Sequence, residues 1–323
     1  MAPPRRKPRR RALPARRLPR AAESAMTSAM TTPFRPRRSL LFVPGANARA
    51  LEKSDGLAAD GLIYDLEDSA APHEKDAARE RLRTHLQDTS FKGERIVRIN
   101  TLDTQWGTED LLMARGAGVD AILLPKVESV AMLQEAAVAL AETDAPDRLK
   151  LWAMIETPLG ILDVGTIARE GSRNRLGALI VGPNDIALST GIEPGPDRAE
   201  LMPWMMQIVV AAKACDLAVL DGVYADFRDA EGFAAECAAG RRMGFDGKTL
   251  IHPSQIAAAN QAFSPDPEAV AWAERIVAAF AEPENRDKGV LQIDGRMVER
   301  LHLTQAQALL QMRDSIAERG TTA

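Results

Sequence analysis

The stretch LKLWAMIETPLG, residues 149–160, runs apolar through LWAMI and then meets an acid, Glu156, directly before Thr157 and Pro158. A continuous apolar run of this kind suits a strand buried on both faces, as in a parallel sheet. The pattern recurs along the chain. SLLFVPG (39–45), GLIYDLED (61–68), ERIVRIN (94–100), AILLPKV (121–127), LGALIVG (176–182), LAVLDGVY (217–224) and GKTLIHP (247–253) read as strands of the same type. With residues 149–157 that makes eight. Amphipathic segments lie between them, such as DAARERLRTHLQ, SVAMLQEAAVALAE and DAEGFAAECAAGRRMG. Eight strand–helix units in this length predict an α/β fold, a (β/α)8 TIM barrel, over an open doubly wound sheet. No GxGxxG follows the first strand and no GxxxxGK[ST] occurs, so the nucleotide-fold motifs are absent.

Beyond the eighth strand come two further helical patterns, QIAAANQAF and PEAVAWAERIVAAFAEP. A break at ENRDKG follows, then VLQIDGRMVERLHLTQAQALLQMRDSIAE, which reads as a hairpin-like turn and a helix. The expected organisation is a basic tail over 1–36, a barrel over 37–265 and a helical extension over 266–323.

Charge is unevenly distributed. The first 38 residues hold 12 of the 41 Lys and Arg but one of the 45 acids, so the remaining chain is strongly acidic. An acidic body excludes nucleic acid as the natural partner of the folded part. The head, MAPPRRKPRRRALPARRLPR, lacks the apolar core of a secretory signal. Three readings of it stay open: a disordered tail, an extension upstream of a start at Met26 or Met30, and an organellar transit peptide. No apolar run approaches the ~18 to 20 residues that a membrane span needs. The two cysteines, Cys215 and Cys237, sit in Ala-rich helical patterns without a CxxC partner. They read as reduced thiols of a cytoplasmic protein, or of an organellar matrix if the head is a transit peptide.

In a barrel, chemistry gathers where the strands end. The ends here are polar on strand after strand: Asp65, Glu67 and Asp68; Arg98 and Asn100; Lys126; Glu156 and Thr157; Asp185; Asp221; His252. Glu156 and Asp185 close adjacent strands. Two carboxylates at one barrel mouth repel unless a positive group lies between them. A hard divalent cation does this, and Mg2+ takes one or two carboxylates and leaves other positions to water and substrate. A salt bridge from Glu156 to Lys126 or Arg98 is the structural alternative. With four His in the chain and both Cys remote, zinc is disfavoured. Arg98 offers a planar fork that matches a carboxylate. His252 reads as a cap at the end of the eighth strand.

RRSLLFVPG, LEKS, DLEDSAAPHEKDAAR, VRIN, LPKVES, IETPLGI, VGPNDIALSTG, DGVYADFRDAEGF and GFDGKTLIHPSQI occur in this order. Together, over roughly residues 37–312, they resemble the citrate lyase beta subunit-like branch of the HpcH/HpaI aldolase superfamily, which holds malyl-CoA, citramalyl-CoA and citryl-CoA lyases. The resemblance implies a Mg2+-dependent barrel, with Mn2+ as a substitute, forming a trimer or hexamer. Such an enzyme cleaves or forms a C–C bond in a 3-hydroxyacyl-CoA, giving an acyl-CoA and an α-keto acid. A citryl-CoA-cleaving subunit and an acyl-CoA thioesterase are the alternatives. By match, Glu156 and Asp185 would hold the metal, and Arg98 the keto-acid carboxylate. Phe42 and Lys53 would touch CoA, and Asp65 and Glu67 would support the site. Asp68, Lys126 and Asp221 would stand behind them. The extension implies a lid over a neighbouring subunit, whose acid/base Asp is replaced here by Glu299 in GRMVE.

Overall fold

The computed structural model describes residues 35–321, so the basic head lies almost wholly outside the described residues. Eight parallel strands close a barrel in sequence order: β1 (Ser39–Pro44), β2 (Gly61–Asp65), β3 (Glu94–Arg98), β4 (Ala121–Leu124), β5 (Lys150–Ile155), β6 (Leu176–Val181), β7 (Ala218–Asp221) and β8 (Gly247–Leu250). β8 pairs back onto β1. All eight runs are strands. Each ends one to three residues before its apolar run does, so the polar residues at the ends of the runs fall in the last strand position or the loop after it.

The apolar runs are continuous because both faces of each strand are buried. Leu40, Ile63, Ile96, Leu123, Trp152, Ile180 and Leu220 fill the barrel interior. Their neighbours Leu41, Leu62, Val97, Ile122, Leu151, Leu179 and Val219 pack outward against the helices. That outer layer is α1 (Ala48–Ser54), α2 (Lys75–Asp88), α3 (Gly107–Gly116), α4 (Val130–Glu142), α5 (Pro158–Gly171), α6 (Pro183–Thr190), α7 (Met202–Lys213), α8 (Ala230–Met243) and α9 (Ile256–Phe263). Cys237 is buried in α8, and its thiol is pushed up to about 12 by that burial. Cys215 lies in the turn just past α7 rather than in a helix.

After the barrel, α10 (Pro267–Ala281) leads to an antiparallel hairpin, β9 (Val290–Ile293) and β10 (Arg296–Glu299). The hairpin turns through Asp294 and Gly295, both at positive φ, and α11 (Arg300–Thr321) follows. These elements share a small core of their own, with Ala273, Ile276 and Phe280 against Val298 and Ala306. Among the described residues no helix is long and apolar enough to cross a membrane.

Candidate active site

Strand register places the first pair of charges. β2 and β3 align Asp65 with Arg98, each the last residue of its strand. The Arg98 guanidinium donates from Nε (2.7 Å) and Nη2 (2.8 Å) to the two Asp65 oxygens, which also accept the N–H groups of Glu67 and Ser69 at 3.0 Å. Burial works against the charge on Arg98. The bonds to Asp65 and the fields of Glu67 and Asp68 more than offset it, so its pKa is raised. The side-on edge of the guanidinium is therefore committed to Asp65. A substrate carboxylate can be met only by the end-on N–H groups. The Phe42 ring lies 5.0 Å from the guanidinium carbon and supports it from within the barrel mouth.

Glu67 sits behind this pair. Its Oε1 accepts from Lys126 Nζ at 2.6 Å. Its Oε2 lies 2.9 Å from Arg98 Nη1 but out of line for a hydrogen bond, so this buried oxygen has no donor. Burial pushes the carboxyl pKa up, against the pull of Arg98 and Lys126. The loop carrying Glu67 is held from below. Lys75 Nζ donates to the carbonyls of Leu66 and Glu67 and to the Asn100 side chain, while Asn100 in turn donates to Leu66 O and Asp110. Lys75 and Asp110 were not expected from the sequence. Both sit in helices where a charge reads as solvated, and only their burial marks them.

Glu156 follows β5 and is 1% exposed. Thr157 caps α5 by accepting the Gly160 N–H, and Pro158 occupies the first helical turn, where its missing N–H is harmless. Glu156 Oε1 accepts the backbone N–H of Lys126 at 2.8 Å. It forms no salt bridge among the described residues, so the alternative of a pairing with Lys126 or Arg98 is not what the structure has. Burial first, and then the charge of Asp185, push its pKa up to about 7. Gly182 closes in on the other side. A Cβ there would stand 2.6 Å from Glu156 Oε2, so only glycine lets β6 approach the carboxylate. Asp185 is half-buried in the first turn of α6.

Lys126 adopts φ +50°, the left-handed region. For a lysine this costs on the order of 1–3 kcal/mol. A half-exposed ion pair such as its bond to Glu67 returns only about 0–1 kcal/mol. The neighbours impose the conformation. The Val127 N–H is bonded to Met154 O, and Gly160 packs so close that a Cβ there would stand 2.5 Å from Val127 O.

Phe42, Asp65, Arg98, Met154 and Asp185 line one cavity of about 270 Å3 at the end of the barrel where the strands finish. Asp68 reaches the same cavity and lies 3.3 Å from Arg98. Glu156 and Asp185 are hard oxygen donors near each other, and Glu67 Oε2 is an acceptor without a donor. This set fits Mg2+ with metal-bound water. No group of three or more His, Cys, Asp or Glu suited to a metal converges among the described residues.

Asp221 departs from the expectation that it stands behind the site. It is fully buried away from the cavity, where Arg198 and Lys248 pair with both it and Glu236 across the β7–β8–α8 layer. The run of apolar letters before Asp221 is the same whether its side chain points to the mouth or to a helix, which is why the sequence misplaced it. His252 caps the turn after β8, its Nδ1 accepting the Ser254 N–H.

The profile of the HpcH/HpaI aldolase/citrate lyase family matches residues 38–253, which hold all eight barrel strands. The chain belongs to this family. Membership agrees with the closed barrel and its polar mouth, and makes the protein an enzyme of a family of carbon–carbon lyases. Within the family, it is 46% identical over 283 residues to a (3S)-malyl-CoA thioesterase of Cereibacter sphaeroides, covering 87% of this chain and 96% of the relative. It is 33% identical to the mitochondrial citramalyl-CoA lyase of Homo sapiens, covering 88% and 87%. Among solved structures of the family, CitE from Mycobacterium tuberculosis in complex with magnesium, acetoacetate and coenzyme A superposes with a TM-score of 0.67. That pair is 30% identical, covering 86% of this chain and 97% of the other.

Two residues that the family resemblance brought forward lie apart from the cavity within this chain. Lys53 is exposed in the last turn of α1. Glu299 is exposed at the end of β10 and donates its backbone N–H to His302 Nδ1.

Proposed function

We propose that this protein is a Mg2+-dependent CoA-ester lyase that cleaves or forms the C–C bond of a 3-hydroxyacyl-CoA such as malyl-CoA or citramalyl-CoA. The observation that carries this reading is one small cavity lined by both Arg98, oriented by Asp65, and Asp185, a carboxylate from a two-acid pair. Its volume of about 270 Å3 suits a short keto acid. The CoA portion would then lie outside the mouth.

Arg98, kept charged and oriented by Asp65, binds the carboxylate of the keto-acid half. Glu156 and Asp185 would hold Mg2+, which supplies positive charge where the hydroxyl oxygen becomes a carbonyl. In the cleavage direction the hydroxyl gives up its proton, the C–C bond electrons pass to the acyl-CoA half, and that enolate must take a proton at carbon. Glu67 presents an unbonded oxygen beside Arg98 as an acceptor within the site. Glu299 protonates the enolate from a second copy of the chain. Its exposure at the end of β10, beside Met297 at 70% and Leu301 at 62% exposed, supports that placement. Apolar side chains presented in this way suit a homo-oligomer, trimer or hexamer.

A second reading is hydrolysis of the thioester on the same site, favoured by the similarity to a thioesterase. Mass spectrometry separates the two. Purified protein with Mg2+, acetyl-CoA or propionyl-CoA, and glyoxylate, pyruvate or oxaloacetate is expected to form a 3-hydroxyacyl-CoA that EDTA abolishes. Free CoA from malyl-CoA, with no adduct from any pair, would replace the lyase by the thioesterase. Activity that appears only with added partner subunits would favour a citrate lyase beta subunit.

A further inference from the structure

We propose that Lys126 is a positioning residue that holds Glu67 and Glu156 in fixed relation, one with its side chain and the other with its backbone. The inference deepens the proposed function and rests on it for the reaction, but not for the metal. Three observations carry it. Lys126 donates from Nζ to Glu67 Oε1 at 2.6 Å and from its own N–H to Glu156 Oε1 at 2.8 Å, so one residue touches both acids. It does so from a left-handed backbone conformation whose strain exceeds what a half-exposed ion pair returns. The conformation is enforced from outside, by Val127 bonded to Met154 O and by the bare backbone of Gly160 against Val127 O. A strained residue held by its surroundings and bonded to two functional carboxylates marks a geometry kept for the site.

The bond to Glu67 also accounts for the orientation of Glu67 Oε2, which lies 2.9 Å from Arg98 Nη1 without a hydrogen bond. With Oε1 tied to Lys126 and the Glu67 carbonyl tied to Lys75, the carboxylate cannot turn to complete a hydrogen bond with Arg98. Lys126 thus fixes the Glu67 carboxylate with Oε2 close to Arg98 Nη1 in charge contact but without a hydrogen bond to it.

The two contacts separate by mutation. Lys126→Met removes the ammonium and keeps the backbone N–H. It is expected to lower kcat by roughly 10- to 100-fold, the scale of a small misplacement of a catalytic group. KM and the Mg2+ dissociation constant measured by calorimetry should stay near wild type. Lys126→Arg should restore part of kcat. In a Glu67→Gln background, adding Lys126→Met should cost no further activity, because residues that act as one unit are non-additive. Lys126→Gln replaces the Met variant if that one does not fold. Unchanged kcat, losses that multiply with those of E67Q, or Mg2+ affinity falling in step with kcat would each overturn the assignment. A wild type that turns over no CoA ester removes the proposed reaction. The assignment then stands or falls on calorimetry and melting. K126M should leave Mg2+ binding intact and lower the melting temperature in wild type but not in the E67Q background, and the opposite pattern overturns it.

Discussion

At position 156, burial and a like charge act together. The folded chain holds the Glu156 proton up to about pH 7, whereas an ordinary carboxylate loses it near 4.5. In metal-free protein the stability linked to this proton is full below about 4.5 and is lost as pH rises through 7. Glu156→Gln should therefore melt several degrees higher than wild type at pH 8 in EDTA and close to it at pH 4.5, while losing all Mg2+-dependent activity. Equal melting differences at both values, by calorimetry, would show that Glu156 is not the strained acid. Arg98 makes a second prediction at this scale. Lysine cannot reproduce the two-point bond to Asp65, so Arg98→Lys should reduce kcat/KM by about 100-fold or more, a loss of some 3 kcal/mol of the kind expected when a donor to a developing charge is removed. Steady-state kinetics with the keto acid varied checks it.

Elements meet at the site through glycines and caps. The start of α5 packs against the exit of β4 because Gly160 has no side chain, and the end of β6 meets Glu156 because Gly182 has none. Gly182→Ala should displace the carboxylate and weaken Mg2+ binding by at least tenfold in calorimetry, with the barrel still folded by circular dichroism. Behind β7 and β8, Lys248 is buried between Asp221 and Glu236. Lys248→Met leaves two acids facing one arginine, and breaking a buried pair in this way costs about 3–5 kcal/mol. Urea unfolding should show that loss, while Mg2+ affinity stays near wild type because the cluster lies away from the cavity.

Across the whole molecule, the barrel supplies Arg98, Glu156 and Asp185 but leaves Glu299 on an exposed hairpin outside its own mouth. Glu299→Gln is expected to lower C–C bond turnover by about 100-fold or more, with Mg2+ binding unchanged. Mixing it with Glu156→Gln should restore activity if the two residues meet across subunits. No restoration from the mixture would confine both residues to one chain or remove Glu299 from the reaction.

Eight doubly buried strands were legible in LKLWAMIET and its counterparts, because burial on both faces demands unbroken apolar runs. The acids and arginine that end those runs were legible for the same reason: a charge beside a buried strand is costly unless it is used. The hairpin and final helix were legible too. What the letters alone left open was direction. Asp221 ends its strand just as Asp65 does, yet one faces a helix layer and the other the mouth, a difference set by register and by the Lys248 beneath. Only the tertiary structure showed that Arg98 already spends one edge on Asp65, that Lys75 and Asp110 brace the loop of Glu67, and that Lys126 is held left-handed. Each of these depends on groups 8 to 59 residues apart being brought within bonding distance, and local sequence pattern carries no record of such contacts.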